Sequence, residues 1–208
     1  MIEFHNKDEK QSFDSAVFNQ KVEICKLKKL SDELFGFTPL PDESTLYLYD
    51  LLTGCDCCST EKGIFTFVGT KILWYNIFTN KIDFIPTRLD QRTNYSLSYI
   101  EENHTLYMFG GINKAGEANS EIWAFNIQTM KEDIILAQHT PEARYGHSAV
   151  VARNMHGMKE GEPVIVIFGG ISKKKKYLND ICVFNPFTNK WSSVSSHKNC
   201  PCPRAFHS

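Results

Sequence analysis

The sequence predicts an all-β protein built from repeated four-stranded antiparallel units, and three observations predict it. Two apolar runs close on a glycine pair, Leu106-Tyr107-Met108-Phe109-Gly110-Gly111 and Val164-Ile165-Val166-Ile167-Phe168-Gly169-Gly170. Asn126-Ile127-Gln128-Thr129-Met130-Lys131 recurs as Asn185-Pro186-Phe187-Thr188-Asn189-Lys190 at the same offset as the glycine pairs, with an earlier copy at Asn76-Ile77-Phe78-Thr79-Asn80-Lys81. Arg144-Tyr145-Gly146-His147-Ser148 is answered by Arg204-Ala205-Phe206-His207-Ser208 at nearly that offset again, and a weaker form, Arg92-Thr93-Asn94-Tyr95-Ser96, stands before both. Patterns held at one long offset mark repeated structural units.

Each unit reads as four strands in a fixed order. The Arg-x-x-His-Ser leader runs into an apolar segment such as Ala149-Val150-Val151-Ala152. The β-branched run ending in the glycine pair follows. Next comes an aromatic run, Ile72-Leu73-Trp74-Tyr75, Ile122-Trp123-Ala124-Phe125 or Ile181-Cys182-Val183-Phe184. A turn and a short last strand, such as Lys190-Trp191-Ser192-Ser193-Val194, complete the unit. Short β-branched and aromatic runs bounded by Gly, Asn and Pro are strand signals. A glycine at a strand end suits positive φ or a close backbone approach. Asn opens a tight turn by accepting hydrogen bonds from the backbone just ahead of it.

Phe-Gly-Gly, a polar loop, then Leu178-Asn179-Asp180-Ile181-Cys182-Val183-Phe184-Asn185 with Trp191 resembles the kelch repeat. The leader and the long spacing between copies resemble the kelch type of host-cell-factor-like and Rab-effector-like proteins. The resemblance covers roughly residues 62–208 and is specific over 88–208. It implies kelch-type β-propeller blades, each a four-stranded antiparallel sheet, in an incomplete array, since propellers take about 4–8 blades. The expected organisation is an N-terminal adapter or decayed blade over 1–44, degenerate blade sequence over 45–87, blades over 88–140 and 141–198, and the first strand of a further blade over 199–208. The copy over 62–87 departs from the pattern, with one glycine in Phe67-Val68-Gly69-Thr70 and almost no loop before Trp74. The pattern breaks off mid-unit at Ser208, which predicts a piece of a longer propeller and an open blade edge through which the chain could self-associate.

Composition narrows the function classes. Of 208 residues 42% are hydrophobic and 12% aromatic, enough for a sizeable core, and the net charge of −1 offers no global attraction to nucleic acid or membrane. No apolar run is long enough for a membrane helix and the N-terminus lacks a secretory core. Seven cysteines without such a leader predict a reducing compartment, cytoplasmic or, through Lys173-Lys174-Lys175-Lys176 as an import patch, nuclear. In the N-terminal segment Val22, Ile24 and Leu27 alternate as a strand would, whereas Leu27, Leu30 and Leu34 share a helical face; both readings stay open. Leu46-Tyr47-Leu48-Tyr49-Asp50-Leu51-Leu52-Thr53-Gly54 reads as a further strand and turn.

Cys55, Cys57 and Cys58 with Cys200 and Cys202 are the sharpest metal alternative, but their spacing does not match the usual zinc ligand gap, so no metal, cofactor or catalytic residue is assigned. Gly110, Gly111, Arg144, His147, Gly169, Gly170, Trp191, Arg204 and His207 hold equivalent or signature positions, which a structural role explains in every copy at once. Antiparallel alternation puts the second-to-third-strand loops, 112–120 and 171–177, on one face with the linkers 138–142 and 195–203. Candidate partner contacts there are Asn113, Lys114, His139, Lys173, Lys174, Lys175, Lys176, Tyr177 and His197. The expected function is a protein-interaction scaffold binding a protein or peptide. A ubiquitin-ligase substrate receptor and a kelch-type enzyme, a metal oxidase or specifier-like protein, are the alternatives.

Overall fold

The computed structural model describes residues 56–79, 81–155, 159–194 and 201–207. The segment over 1–55 and His197 therefore lie outside the described residues, as do Cys55 and Cys200.

The described chain forms three four-stranded antiparallel sheets in sequence order. β1 (Cys57–Thr60), β2 (Gly63–Val68), β3 (Lys71–Asn76) and β4 (Lys81–Pro86) make the first blade. A two-residue leader strand, β5 (Arg92–Thr93), precedes β6 (Ser96–Ile100) and β7 (Thr105–Phe109). A second two-residue strand, β8 (Ile112–Asn113), precedes β9 (Ile122–Asn126) and β10 (Lys131–Ile135); β6, β7, β9 and β10 form the second blade, while β5 pairs β8. The third unit repeats this plan. β11 (Arg144–Tyr145) pairs β14 (Ile171–Ser172), and β12 (Ser148–Ala152), β13 (Val164–Phe168), β15 (Ile181–Asn185) and β16 (Lys190–Val194) form the blade. Residues 112–113 and 171–172, read as loop from sequence, are thus short strands that hold the leaders.

Registers repeat at the sequence offset: Phe109 stands opposite Ile122, and Phe168 opposite Ile181. The Asn turns repeat as well. Asn76, Asn126 and Asn185 each accept two backbone N–H bonds at Oδ1, from residues two and three ahead, at 2.8–3.1 Å. The first blade is a regular sheet from Cys57 to Pro86; its departure lies at Gly69-Thr70, which joins β2 to β3 directly and leaves no room for a β8-like strand.

Blade packing follows the two-residue period of a strand. In the second blade Leu106 and Met108 with Trp123 and Phe125 face the first blade's Cys58, Phe65, Phe67 and Ile72. Tyr107 and Phe109 with Ile122 and Ala124 face Ile165, Ile167, Cys182, Phe184 and Trp191 of the third. A sheet buried on both faces reads as a continuous apolar run, which is why β7 and β9 show no polar alternation.

The signature residues form a clasp between consecutive blades. Gly110 and Gly169 have φ of 67 and 66, and a Cβ on either would stand 2.5 Å from the carbonyl oxygen of Arg144 or Arg204. The following glycine donates to that same oxygen: Gly111 N–H to Arg144 and Gly170 N–H to Arg204, both at 2.9 Å. Each leader arginine donates its N–H back, Arg144 to Asn119 O and Arg204 to Leu178 O, at 3.0 Å. The leader histidine then reaches the serine that opens the preceding blade. His147 Nε2 lies 2.9 Å from Ser96 Oγ, and His207 Nε2 lies 3.0 Å from Ser148 Oγ. Phe109 and Phe168 meet these two rings edge-on, each with centroids 5.3 Å apart. At the first boundary Tyr95 occupies the histidine position; its hydroxyl donates to Phe67 O at 3.3 Å and accepts from Phe67 N–H at 3.2 Å. The glycine pair is required because the next blade's backbone lands on it.

Candidate partner-binding face

The leader arginines divide the structural part of this face from the part left over. Arg144, 1% exposed, reaches Asp180 with both terminal nitrogens at 2.7 Å and donates to Gly169 O at 3.0 Å. Arg92 repeats the arrangement with Glu121 at 3.1 Å. Burial works against ionisation of Asp180, but the hydrogen bonds and charge of Arg144 outweigh it and hold the carboxyl below the ordinary range. Asp180 also accepts from Cys182 Sγ at 3.3 Å. Burial first, and then the charge of Asp180, push the Cys182 thiol up to about 12, so it stays protonated and unreactive. Asp180 and Glu121 were missed in the sequence, although an acid stands directly before the third strand in both units. Ser96 and Ser148, which receive the histidines, were missed too.

The two hairpin tips on the loop face share one backbone plan. In the second unit Asn113 Oδ1 accepts the N–H groups of Ala115 and Glu117 at 3.0 and 2.9 Å, and Gly116 turns the chain at φ 78. Asn113 therefore holds the turn with its own side chain, and Lys114 stands exposed at the tip. In the third unit Ser172 takes the place of Asn113. Its N–H donates to Lys176 O at 2.9 Å, its carbonyl accepts Lys175 N–H at 2.8 Å, and Lys175 turns the chain at φ 58. A lysine in the left-handed region at a position where the sister unit has glycine is held there by these bonds. Lys173, Lys174, Lys175 and Lys176 are all exposed, and Tyr177 beside them is 53% exposed. Lys173 N–H donates to Ala143 O at 3.2 Å, which joins this tip to the linker.

A cleft of about 260 Å³ opens on the same face, where that linker crosses the third blade. His139, Pro141 and Glu142 line it from the linker, Asp180 and Cys182 from the entry to β15, and Trp191, Ser192 and Ser193 from β16. The linker first pairs with the blade edge: Gln138 N–H donates to Asn189 O and Trp191 N–H to Gln138 O, both at 2.9 Å. It then turns away at His139, which has φ 59 and is exposed. Trp191 is 4% exposed and packs between Phe109 and Phe184. The structure thus brings His139 and Trp191 together at one cleft and places Lys114 and Lys173–Lys176 on separate hairpin tips of the same face. Cys57 and Cys58 lie in β1 and Cys202 in the leader after the third blade, and no group of three or more metal-ligating side chains forms among the described residues.

A family model described as the KLHDC2/KLHL20/DRC7 Kelch-repeats domain matches residues 103–208. An F-box/kelch-repeat protein of Arabidopsis thaliana is 26% identical over 127 residues, which are 56% of this chain and 24% of that protein. A solved structure of YjhT superposes with a TM-score of 0.55 at 15% identity, over 70% of this chain and 52% of that one. The chain spans only about a quarter of the curated relative and about half of the solved chain.

Proposed function

We propose that this chain, which belongs to the KLHDC2/KLHL20/DRC7 kelch-repeats domain family, is a protein-interaction module that grips its partner with the loop face of its blades. One observation carries this reading. The glycines, arginines and histidines that recur between units are consumed in the inter-blade clasp, whereas Lys114 and the run Lys173–Lys176 with Tyr177 on the hairpin tips are exposed and add a concentrated positive charge to a chain of net charge −1. A cluster of like charge beside an aromatic side chain suits an acidic protein segment and speeds its encounter.

Reversing Lys173, Lys174, Lys175 and Lys176 to Glu in the full chain tests the reading. Co-purifying proteins should fall at least about tenfold, as expected when several steering charges change sign, while the near-ultraviolet circular dichroism of the aromatic core stays unchanged. An unchanged set of partners with an intact core signal refutes it. A substrate-receptor role in a ubiquitin ligase is a second reading, motivated by the F-box/kelch-repeat relative. Stable co-purification of a cullin adaptor would support that role, and its absence from a complex that still holds other partners would remove it.

A further inference from the structure

The small sheet on the loop face of the third unit carries a row of aromatic side chains that its counterpart in the second unit lacks. Tyr145 on β11 stands opposite Ile171 on β14, and Ile171 is bridged on its other edge to Tyr177. Residues directly opposite in antiparallel strands share one face, so Tyr145, Ile171 and Tyr177 form a row across three strand segments. In the second unit the same row is Thr93, Ile112 and Ala118. The central isoleucine is kept, and both flanks change from small to aromatic. In keeping with the larger flanks, Ile171 is only 7% exposed where Ile112 is half-buried.

Phe206 adds a third ring. It packs against Tyr145 with centroids 6.2 Å apart and lies over Gly146, where a Cβ would stand 2.8 Å from its Cε1. Phe206 has φ 54, a conformation that is strained for a bulky side chain. The two preceding leaders hold Asn94 and Gly146 at this position, residues suited to it. The ring is 63% exposed, so burial in the blade does not account for the exchange. Tyr177 is 53% exposed, and the hairpin that carries it turns through Lys173–Lys176. An open aromatic strip therefore runs up to a run of positive charge.

Spacing selects the ligand. Tyr145 and Tyr177 stand two strand spacings apart, about 9–10 Å. A polyproline II segment repeats every three residues and advances about 9 Å in doing so. Prolines three positions apart in such a segment fall on the two tyrosines, and a preformed extended segment loses little entropy on docking against aromatic rings. The lysine run at the Tyr177 end adds a requirement for carboxylates beside the prolines. We propose that the row of Phe206, Tyr145, Ile171 and Tyr177 seats an acidic, proline-containing peptide segment in the polyproline II conformation, its acids towards Lys173–Lys176. The proposal rests on reading the loop face as the partner-binding face. Aromatic rings beside lysines also suit single-stranded nucleic acid, but the net charge of −1 and the carboxylates of Glu142 and Asp180 on the same face disfavour a polyanion.

Fluorescence anisotropy of a labelled peptide, Asp-Glu-Pro-Ala-Ala-Pro-Glu-Asp, titrated with the whole chain tests this. Two controls replace its prolines by glycine or its acids by lysine. The acidic proline peptide should bind saturably and each control at least about tenfold more weakly. Tyr177→Ala and Phe206→Asn introduce residues found at the equivalent positions of the other units. Each should weaken the peptide at least about tenfold, while the urea midpoint holds in the first and holds or rises in the second as strain is released. Absence of saturable binding, equal binding of the glycine peptide, unchanged affinity in both variants, or displacement of the peptide by oligothymidylate overturns the proposal. A midpoint that falls in Phe206→Asn also overturns it, because the ring would then serve the fold. The peptide reads the row without any natural partner. If the lysine-reversed chain loses its co-purifying proteins while the wild type binds no peptide, the loop face stands and the aromatic row falls.

Discussion

His147 should make the clasp between the second and third blades acid-labile in a way that can be isolated from all other titrations. His147 is 7% exposed, bonded to Ser96 through Nε2, edge-on to Phe109, and left with a buried Nδ1 that has no hydrogen-bond partner among the described residues. Burial, reinforced by the positive charge of Arg144 and by His207, pushes its pKa down to about 3, with Asp180 opposing. The folded value lies below the unfolded value of about 6.5, so the unfolded chain takes up a proton that the folded chain refuses. Stability is fully present above about pH 6.5 and is lost as pH falls from there towards 3. At pH 5 the unfolded histidine is almost wholly protonated and the folded one is not, which corresponds to about 2 kcal/mol, and this figure changes little for any folded pKa well below 5. Asp180, Glu61 and Glu102 also have lowered pKa values, but such carboxylates lose their contribution only below their unfolded values near 4, so the window from pH 7 to 5 separates them from the histidine. Urea unfolding at pH 7 and pH 5 of the wild type and of His147→Gln measures the effect. The wild type should lose about 2 kcal/mol more than the variant between the two values. Equal losses, or a His147 ring signal that titrates near 6.5 in the folded chain, would refute the argument.

Two further perturbations probe the same clasp by urea unfolding. Gly169→Ala drives a Cβ against Arg204 O and should cost at least about 2 kcal/mol, whereas Gly116→Ala, also at positive φ but with open space around it, should cost about 1 kcal/mol. Similar losses would mean that strain rather than docking sets the need for glycine. Asp180→Ala strands the buried Arg144 and should cost about 3 kcal/mol, the low end for a buried pair because Asp180 itself is 42% exposed. Removing the acid of the exposed Arg153–Glu102 pair by Glu102→Ala should stay within about 0.5 kcal/mol, and a comparable loss at both sites would deny Arg144 its special place.

What could be read from the sequence depended on whether a residue's partner lies within its own unit or in another. The Asn turns were legible because their bonds are local: Asn126 and Asn185 serve residues two and three ahead. The glycine pairs were legible as positions needing freedom, but the reason was not, because the atom that forbids a Cβ at Gly110 is the carbonyl of Arg144, in the leader of the next unit. The same limit applies to the histidines. Their recurrence marked them as structural, yet Ser96 belongs to the preceding blade and nothing in the local sequence couples it to His147. Asn113 shows the converse. A half-buried polar residue in a stretch that reads as a variable loop looks like a partner contact, and its short reach to Ala115 and Glu117 makes it part of the turn as well. The first blade read as degenerate because the glycine signature is weak there. That signature reports docking of a leader on the β2–β3 end, not formation of the sheet, and β1–β4 pair in full without it.

Two copies of one fold in one chain also act as an internal control on where function lies. The signature side chains kept between the units are explained by the blade itself: the glycine pair by the incoming carbonyl, the arginine by its acid, the histidine by its serine. A side chain exchanged between units is under no such demand. On the hairpin tips Lys114 is kept as Lys173, while Ala115, Gly116 and Glu117 give way to Lys174, Lys175 and Lys176, and where the linker crosses the blade Trp123 and Glu132 give way to Cys182 and Trp191. The last exchange replaces an indole bonded to Glu132 by one with no hydrogen-bond partner among the described residues.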